Sequence, residues 1–236
     1  MSWIASGSYL PLYSKNQKKI KVEGFWLDQH PVTNRQYLHF VRSHPRWRKS
    51  KISRLFAEKT YLRHWSGDLS LGPQAAQLAN SPVVYVSWFP AKAYCRSVGK
   101  RLPRESEWEY VAAASRTRAQ GRDEKGHTQR ILRWYSKPTP TVLPSVKSTY
   151  RNYWGVYDLH GLIWEWVLDF NTSLVTGESR GDSALERKLF CGSGAVGASD
   201  FKDYAAFMRY AFRSSLKYNY TTANLGFRCA KDAQTR

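Results

Sequence analysis

The chain has 236 residues, 42% hydrophobic and 15% aromatic, enough to bury one sizeable core. Lys and Arg number 37 against 18 Asp and Glu, a formal net charge of +19, and a field of that size attracts polyanions and acidic protein surfaces. The basic residues are spread along the chain, around Lys15, Lys18 and Lys19, from Arg46 to Lys51 and from Arg116 to Arg133. No nucleic-acid motif frames them, so the expectation is a solvated basic surface and not specific nucleic-acid binding. No apolar run approaches the roughly 20 residues that span a bilayer, and the first residues read as domain sequence and not as a signal peptide, with a removed leader left open.

Ten Trp and fifteen Tyr with a mean hydropathy of -0.58 point to a core of large amphipathic rings and to few long regular elements. Residues 3–28 alternate short apolar clusters with turn formers and read as short strands. Thr33 followed by Gln36 resembles a capping box, and Tyr37, Phe40 and Val41 share one face of a helix that ends near His44 and Pro45. Residues 46–80 are basic and aromatic, then loop-like around Gly67, Gly72 and Pro73. Residues 81–86 read as a strand, after which Ser87 caps a helix running through Ala91, Tyr94 and Cys95 to a Gly99 C-cap. Leu102 and Pro103 open a third helix from Glu105 to Ala114, whose Glu105 and Glu107 suit the positive end of its dipole. Many charges and Pro138, Pro140 and Pro144 mark residues 115–147 as a flexible surface excursion. No repeat and no shift of composition marks a linker, so residues 1–236 read as a single domain.

Three cysteines, Cys95, Cys191 and Cys229, lie far apart without a CxxC pair, which leaves zinc-ribbon and thioredoxin-like chemistry unsupported. The odd count permits one disulfide and a leftover thiol, and the residues alone do not choose the pair.

Several segments, taken in order, carry a family pattern. They are Val32-Thr33-Asn34 with Tyr37, Pro82-Val83 with Val86-Ser87-Trp88, Ala93-Tyr94-Cys95, and residues 99–103 followed by Glu105, Glu107, Trp108, Glu109 and Tyr110. Residues 155–161, Trp164-Glu165-Trp166 and residues 224–230 complete it. Together they resemble the formylglycine-generating enzyme family, also called the sulfatase-modifying-factor family, across almost the whole chain. The resemblance implies an α+β, C-type-lectin-like fold with much irregular structure.

It also implies sites. Asp158 and Glu165 flank a Gly-containing turn; alone they read most simply as a helix cap and a surface charge, but the family holds a structural calcium here. Its ligands match the Asp158 and Glu165 side chains and the Gly161 and Ile163 carbonyls, the hard oxygens that Ca²⁺ prefers. Leu162 stands where the family usually has Asn, and the family's second calcium site has no counterpart in residues 130–150. Cys95 and Cys229 match positions bridged in some secreted members.

The active-site pattern breaks. Catalytic members bind Cu(I) through two cysteines shortly after a Gly-Ser turn, and those positions fall near Asp200 and Ala205, neither of which can replace a thiolate. Copper is therefore not expected. Cys191 precedes the turn and reads most simply as an inert buried thiol. Ser193, Arg213, Asn224 and Arg228, with Cys191, match positions around the family's substrate groove, although buried structural hydrogen bonding accounts equally well for the two arginines. Asp200, Lys202, Asp203 and Tyr204 add titratable groups without an assigned role.

Residues 201–216, with residues 164–166 and 190–192, resemble a cysteine-poor bacterial branch that accompanies copper nitrite reductases. The implied function is a periplasmic or secreted accessory protein that binds a peptide or protein partner, possession of a leader being left open and a cytoplasmic location its alternative. Two other readings stand beside it: a metal-dependent oxidase using Cys191 with nearby His or Asp, and a lectin-like binding module. A fold alone does not choose among them.

Overall fold

A computed structural model describes residues 1–10, 19–121, 123–170 and 201–233, with residues 201–203 described in their backbone only. Strands β1 (Ser2–Ile4) and β4 (Phe25–Leu27) pair antiparallel, Trp3 opposite Trp26, and β7 (Ala230–Asp232) pairs with the other side of β4. Ile4, Phe25 and Leu27 point into the core while Trp3 and Trp26 stay partly in water, the alternation a half-buried sheet requires. A hairpin-like pair, β2 (Gly7–Tyr9) with β3 (Ile20–Val22), lies beside the helix of residues 105–112.

Helix α1 (Asn34–Ser43) begins with the capping box its sequence announces. The Gln36 backbone N–H donates to Thr33 Oγ1, and the Thr33 N–H donates to the Gln36 side chain at 2.9 Å. Its buried face carries Tyr37, Phe40 and Val41, and a 3₁₀ turn (Pro45–Trp47) follows. A short helix α2 (Ala75–Leu78) precedes residues 81–86, where a strand was expected. That stretch instead sends successive backbone N–H groups to unrelated partners, Val83 to the Val32 carbonyl and Tyr85 to the Thr222 carbonyl. Tyr85 has φ of 54°, a left-handed turn that breaks strand alternation.

Helix α3 (Trp88–Ser97) starts where expected, but Ser87 does not cap it: the hydroxyl donates to the Phe56 carbonyl at 2.5 Å. Helix α4 (Glu105–Ala112) is two residues shorter than its sequence reading. The largest departure is in residues 115–147. They contain helix α5 (His127–Tyr135), whose His127, Thr128 and Ile131 are buried and which packs on α6 (Phe201–Ser215). The region is thus partly core, although residues 136–142 are mostly exposed. Strands β5 (Trp164–Glu165) and β6 (Leu225–Gly226) pair in parallel. Gly226 is required there, because a Cβ would collide with the Val83 carbonyl oxygen.

The core is built from rings with polar handles. Trp65, Trp166, Tyr37, Tyr61, Phe25, Phe170 and Phe227 are fully buried. Three of the buried indole N–H groups find acceptors here: Trp65 donates to Asn34 Oδ1, Trp166 to the Val86 carbonyl and Trp88 to the Val167 carbonyl, whereas Trp154 Nε1 is buried without one among the described residues. The Tyr37 and Tyr61 hydroxyls share a 2.7 Å hydrogen bond.

Candidate functional site

The turn after Tyr157 places Asp158 in the left-handed region, with φ of 62°, and buries its carboxylate completely. Asp158 Oδ1 accepts from the Thr149 N–H at 3.0 Å and the Thr149 hydroxyl at 2.9 Å, while Oδ2 accepts the Lys147 N–H. Strand β5 then delivers Glu165. Its Oε2 accepts from Trp108 Nε1 at 2.9 Å and Arg228 Nε at 2.8 Å, and its Oε1 from Arg228 at 2.7 Å. Both side chains of the Glu165–Arg228 pair are 0% exposed, so a bidentate ion pair is sealed beside β5.

The expected calcium ligands can be tested against this arrangement. One carboxylate oxygen of each acid, Asp158 Oδ2 and Glu165 Oε1, has a single donor and keeps a lone pair. Among the described residues the Gly161 and Ile163 carbonyls accept no hydrogen bond, and Gly161 adopts φ of 119°, which suits glycine. Two carboxylates and two unengaged carbonyls are oxygen donors of the hard kind that Ca²⁺ takes. Side chains alone would not suffice, since among the described residues no three His, Cys, Asp or Glu side chains cluster as a metal site.

A second buried polar system lies between α4 and α6. Glu105 and Glu109 sit four residues apart on one helix, Arg209 and Arg213 four apart on the other, so each pair shares a face. Arg213 donates to Glu109 at 2.6 Å and to Glu105 at 3.2 Å, and Arg209 to Glu109 at 2.8 Å. The Arg213 guanidinium also lies 4.9 Å from the Trp108 ring centre. Burial alone would raise the Glu109 pKa; the two facing guanidiniums outweigh it and bring it down to about 2. Beside this cluster Trp164 is stacked between Phe212, at 4.4 Å, and Tyr135, at 5.0 Å.

The groove residues expected from sequence therefore separate. Arg228 is enclosed at 0% exposure, with its donors on Glu165, the Asp28 carbonyl and the Tyr157 carbonyl. Arg213 is likewise 5% exposed and bound to the α4 carboxylates. Asn224 is only half-buried: its carbonyl accepts the Trp164 N–H at 2.7 Å and its side-chain oxygen the Thr222 hydroxyl at 3.2 Å. Cys191, Ser193 and Asp200 lie outside the described residues. Ala205, one of the two positions where a copper thiolate would stand, is a buried residue of α6 whose carbonyl accepts from Arg209 at 3.1 Å. Cys95 and Cys229 are joined in a disulfide with Cα atoms 5.6 Å apart, linking α3 to the residue before β7. Arg209 and Tyr135 carry much of this region without having been singled out, and Glu109 had been named only within the family pattern; the matched i, i+4 pairs on two helices were the available signal.

A family model described as the sulfatase-modifying factor enzyme 1-like domain matches residues 1–233. The chain belongs to this family. One curated relative, the formylglycine-generating enzyme of Streptomyces coelicolor, is 35% identical over 189 residues, covering 72% of this chain and 59% of that protein. The protein named inactive Cα-formylglycine-generating enzyme 2 of Bos taurus is 26% identical over 251 residues, 92% of this chain and 80% of its own. Serine/threonine-protein kinase Pkn1 of Chlamydia trachomatis is 28% identical over 221 residues, 91% of this chain but only 34% of the kinase. The chain thus spans about a third of the length of the kinase and less than two thirds of that of the Streptomyces protein. The solved structure of PvdO from Pseudomonas aeruginosa covers 98% of this chain and 93% of its own, with a TM-score of 0.47 and 16% identity. Sulfatase-modifying-factor relatives include proteins named as enzymes and proteins named as inactive, so the residues of this chain must decide between the two.

Proposed function

We propose that this sulfatase-modifying-factor domain, with a C-type-lectin-like architecture, is an accessory protein that binds a peptide or protein partner and does not oxidise cysteine with copper. The observation that carries this reading is the sulfur inventory. Cys95 and Cys229 are consumed by their disulfide, so Cys191 is the remaining thiol of the chain. A soft monovalent copper ion held by two thiolates has one of them at most. The burial of Ala205 within α6 supports the same conclusion, because a helix packed by ion pairs occupies that position.

A calcium ion held by Asp158, Glu165 and the Gly161 and Ile163 carbonyls belongs to the proposal as a structural element. Bound there it would supply positive charge to a loop-rich region and tie residues 158–165 together. The disulfide favours an oxidising compartment, periplasmic or extracellular, and a copper nitrite reductase system is the partner we propose to examine first.

The deciding experiment incubates the purified protein with Cu(I), oxygen and a peptide containing a sulfatase-type cysteine, while copper affinity is measured by competition with a Cu(I) chelator. No aldehyde product and no thiolate-grade copper binding are expected. Conversion of the peptide, or tight copper binding lost in Cys191→Ser, would overturn the reading. In parallel, deleting the protein should lower the yield of active nitrite reductase in a host carrying both; unchanged yield removes that partner.

A further inference from the structure

The outer face of α1 is basic. Arg35, His39 and Arg42 stand on it at successive turns, all exposed, and none has an ion-pair or side-chain hydrogen-bond partner among the described residues. They rim a cleft of about 500 Å³ between α1 and the loop leading into α2. Its floor is apolar: Leu38 is half-buried, Leu71 is 7% exposed, and Leu69 is 40% exposed at its edge.

The charge around the cleft is one-sided. From residue 29 to residue 80 the chain carries nine Lys and Arg but only two acids, Glu58 and Asp68. Both acids are committed elsewhere, Glu58 to the Thr221 N–H at 3.1 Å and Asp68 to the Ser50 N–H at 2.7 Å and its hydroxyl. No carboxylate of this segment is left to neutralise Arg35 or Arg42. The cleft shares no residue with Arg213, Asn224 or Arg228.

We infer that this cleft docks an acidic segment of a partner protein, carrying at least one leucine-sized side chain between carboxylates. Arg35 and Arg42 lie about 10 Å apart along the helix axis, from the rise of seven residues, so the carboxylates they meet are separated by two turns of helix or three residues of extended chain. The apolar side chain enters between Leu38 and Leu71, where burial gives affinity, while the guanidiniums set orientation and encounter rate. A pure polyanion satisfies only the second requirement. This inference stands apart from the copper question and from the groove positions.

The test uses a capped, fluorescent twelve-residue peptide with Leu on one face and Glu and Asp beside it, and a second peptide in which the Leu residues are Ser. Binding is followed by anisotropy at 150 mM salt, where nonspecific attraction is screened. Wild-type protein should bind the leucine peptide at micromolar concentration and the serine peptide at least tenfold more weakly. The R35E/R42E variant, whose substitutions are exposed and should leave the melting temperature unchanged, should lose at least tenfold. Leu38→Asn, which removes the apolar contact without adding charge, should weaken the leucine peptide and not the serine peptide. Equal affinity for both peptides, full affinity in R35E/R42E, or no binding up to 100 micromolar would each overturn the inference.

Discussion

Some of the behaviour of this protein is decided by single buried atoms. His160 is 4% exposed, its Nε2 donates to the Ala112 carbonyl at 2.9 Å, and its Nδ1 has no partner. Burial, with help from the Arg209 charge, moves its pKa down to about 3. The unfolded chain takes up a proton near the ordinary histidine value while the folded chain does not, so this contribution is intact above about pH 6.5 and is lost as pH falls below it. The expected slope is about 1.4 kcal/mol per pH unit. Urea unfolding at pH 7.0 and 5.5 should show it, and His160→Gln, whose amide can still donate to the Ala112 carbonyl, should flatten the profile by that amount. Identical slopes in the two proteins would remove the assignment.

Glu165 shows why one residue can confuse two questions. Replacing it leaves Arg228 buried without its partner, so Glu165→Gln should destabilise by about 3–5 kcal/mol whether or not metal is present. Only the calcium-dependent part reports the ion. The wild-type melting temperature, measured after chelation, should rise when calcium is added back, and the rise should vanish in the variant. A rise that persists would place calcium elsewhere.

Among the elements, those whose identity is set locally were legible in the sequence. The Thr33–Gln36 box announces α1 because capping depends on a four-residue pattern, and the apolar spacing of α3 and α4 requires only helical periodicity. Residues 81–86 misled because the apolar run is a buried connector, whose partners include Val32, far before it, and Thr222, far after it. Helix α5 was hidden by its own charges: Arg130 and Arg133 made it read as solvent-exposed, yet only one face of it is wet. The roles of Arg213 and Arg228 were not legible. An arginine in a sequence does not reveal whether it faces a ligand or a buried glutamate, and Arg213 and Arg228 face glutamates.

The α4–α6 contact depends on Glu109, the acceptor for both Arg209 and Arg213. Glu109→Gln should therefore cost about 3–5 kcal/mol and detach α6 before the rest of the core unfolds. Because the carboxyl pKa is depressed to about 2, its stabilisation is present above about pH 4.5 and disappears as pH falls toward 2. Hydrogen exchange should show early opening of residues 204–215 in the variant, with the Tyr37–Tyr61 region still protected. Uniform opening would mean that the ion cluster is not a separate fastening.

At the scale of the molecule, the disulfide spans 134 residues. In the chain-entropy picture a loop of that size contributes about 4–5 kcal/mol. Reduction with dithiothreitol, or Cys95→Ser, should shift the urea midpoint accordingly, and a midpoint unchanged on reduction would show that native packing already supplies the constraint. The charge of +19 acts at this scale too: it governs encounter with acidic partners generally, while the α1 cleft would choose among them.

Strand β4 is flanked by β1 from its own neighbourhood and by β7 from roughly 200 residues later, and Arg228 and Cys229 sit directly ahead of β7. During synthesis the first strands must wait, with one edge of β4 open and the Glu165 carboxylate without its counter-ion, until residues 228–232 have left the ribosome. The interior is therefore closed by residues made about 200 positions after the strand they complete, and an unpaired strand edge persists through that interval.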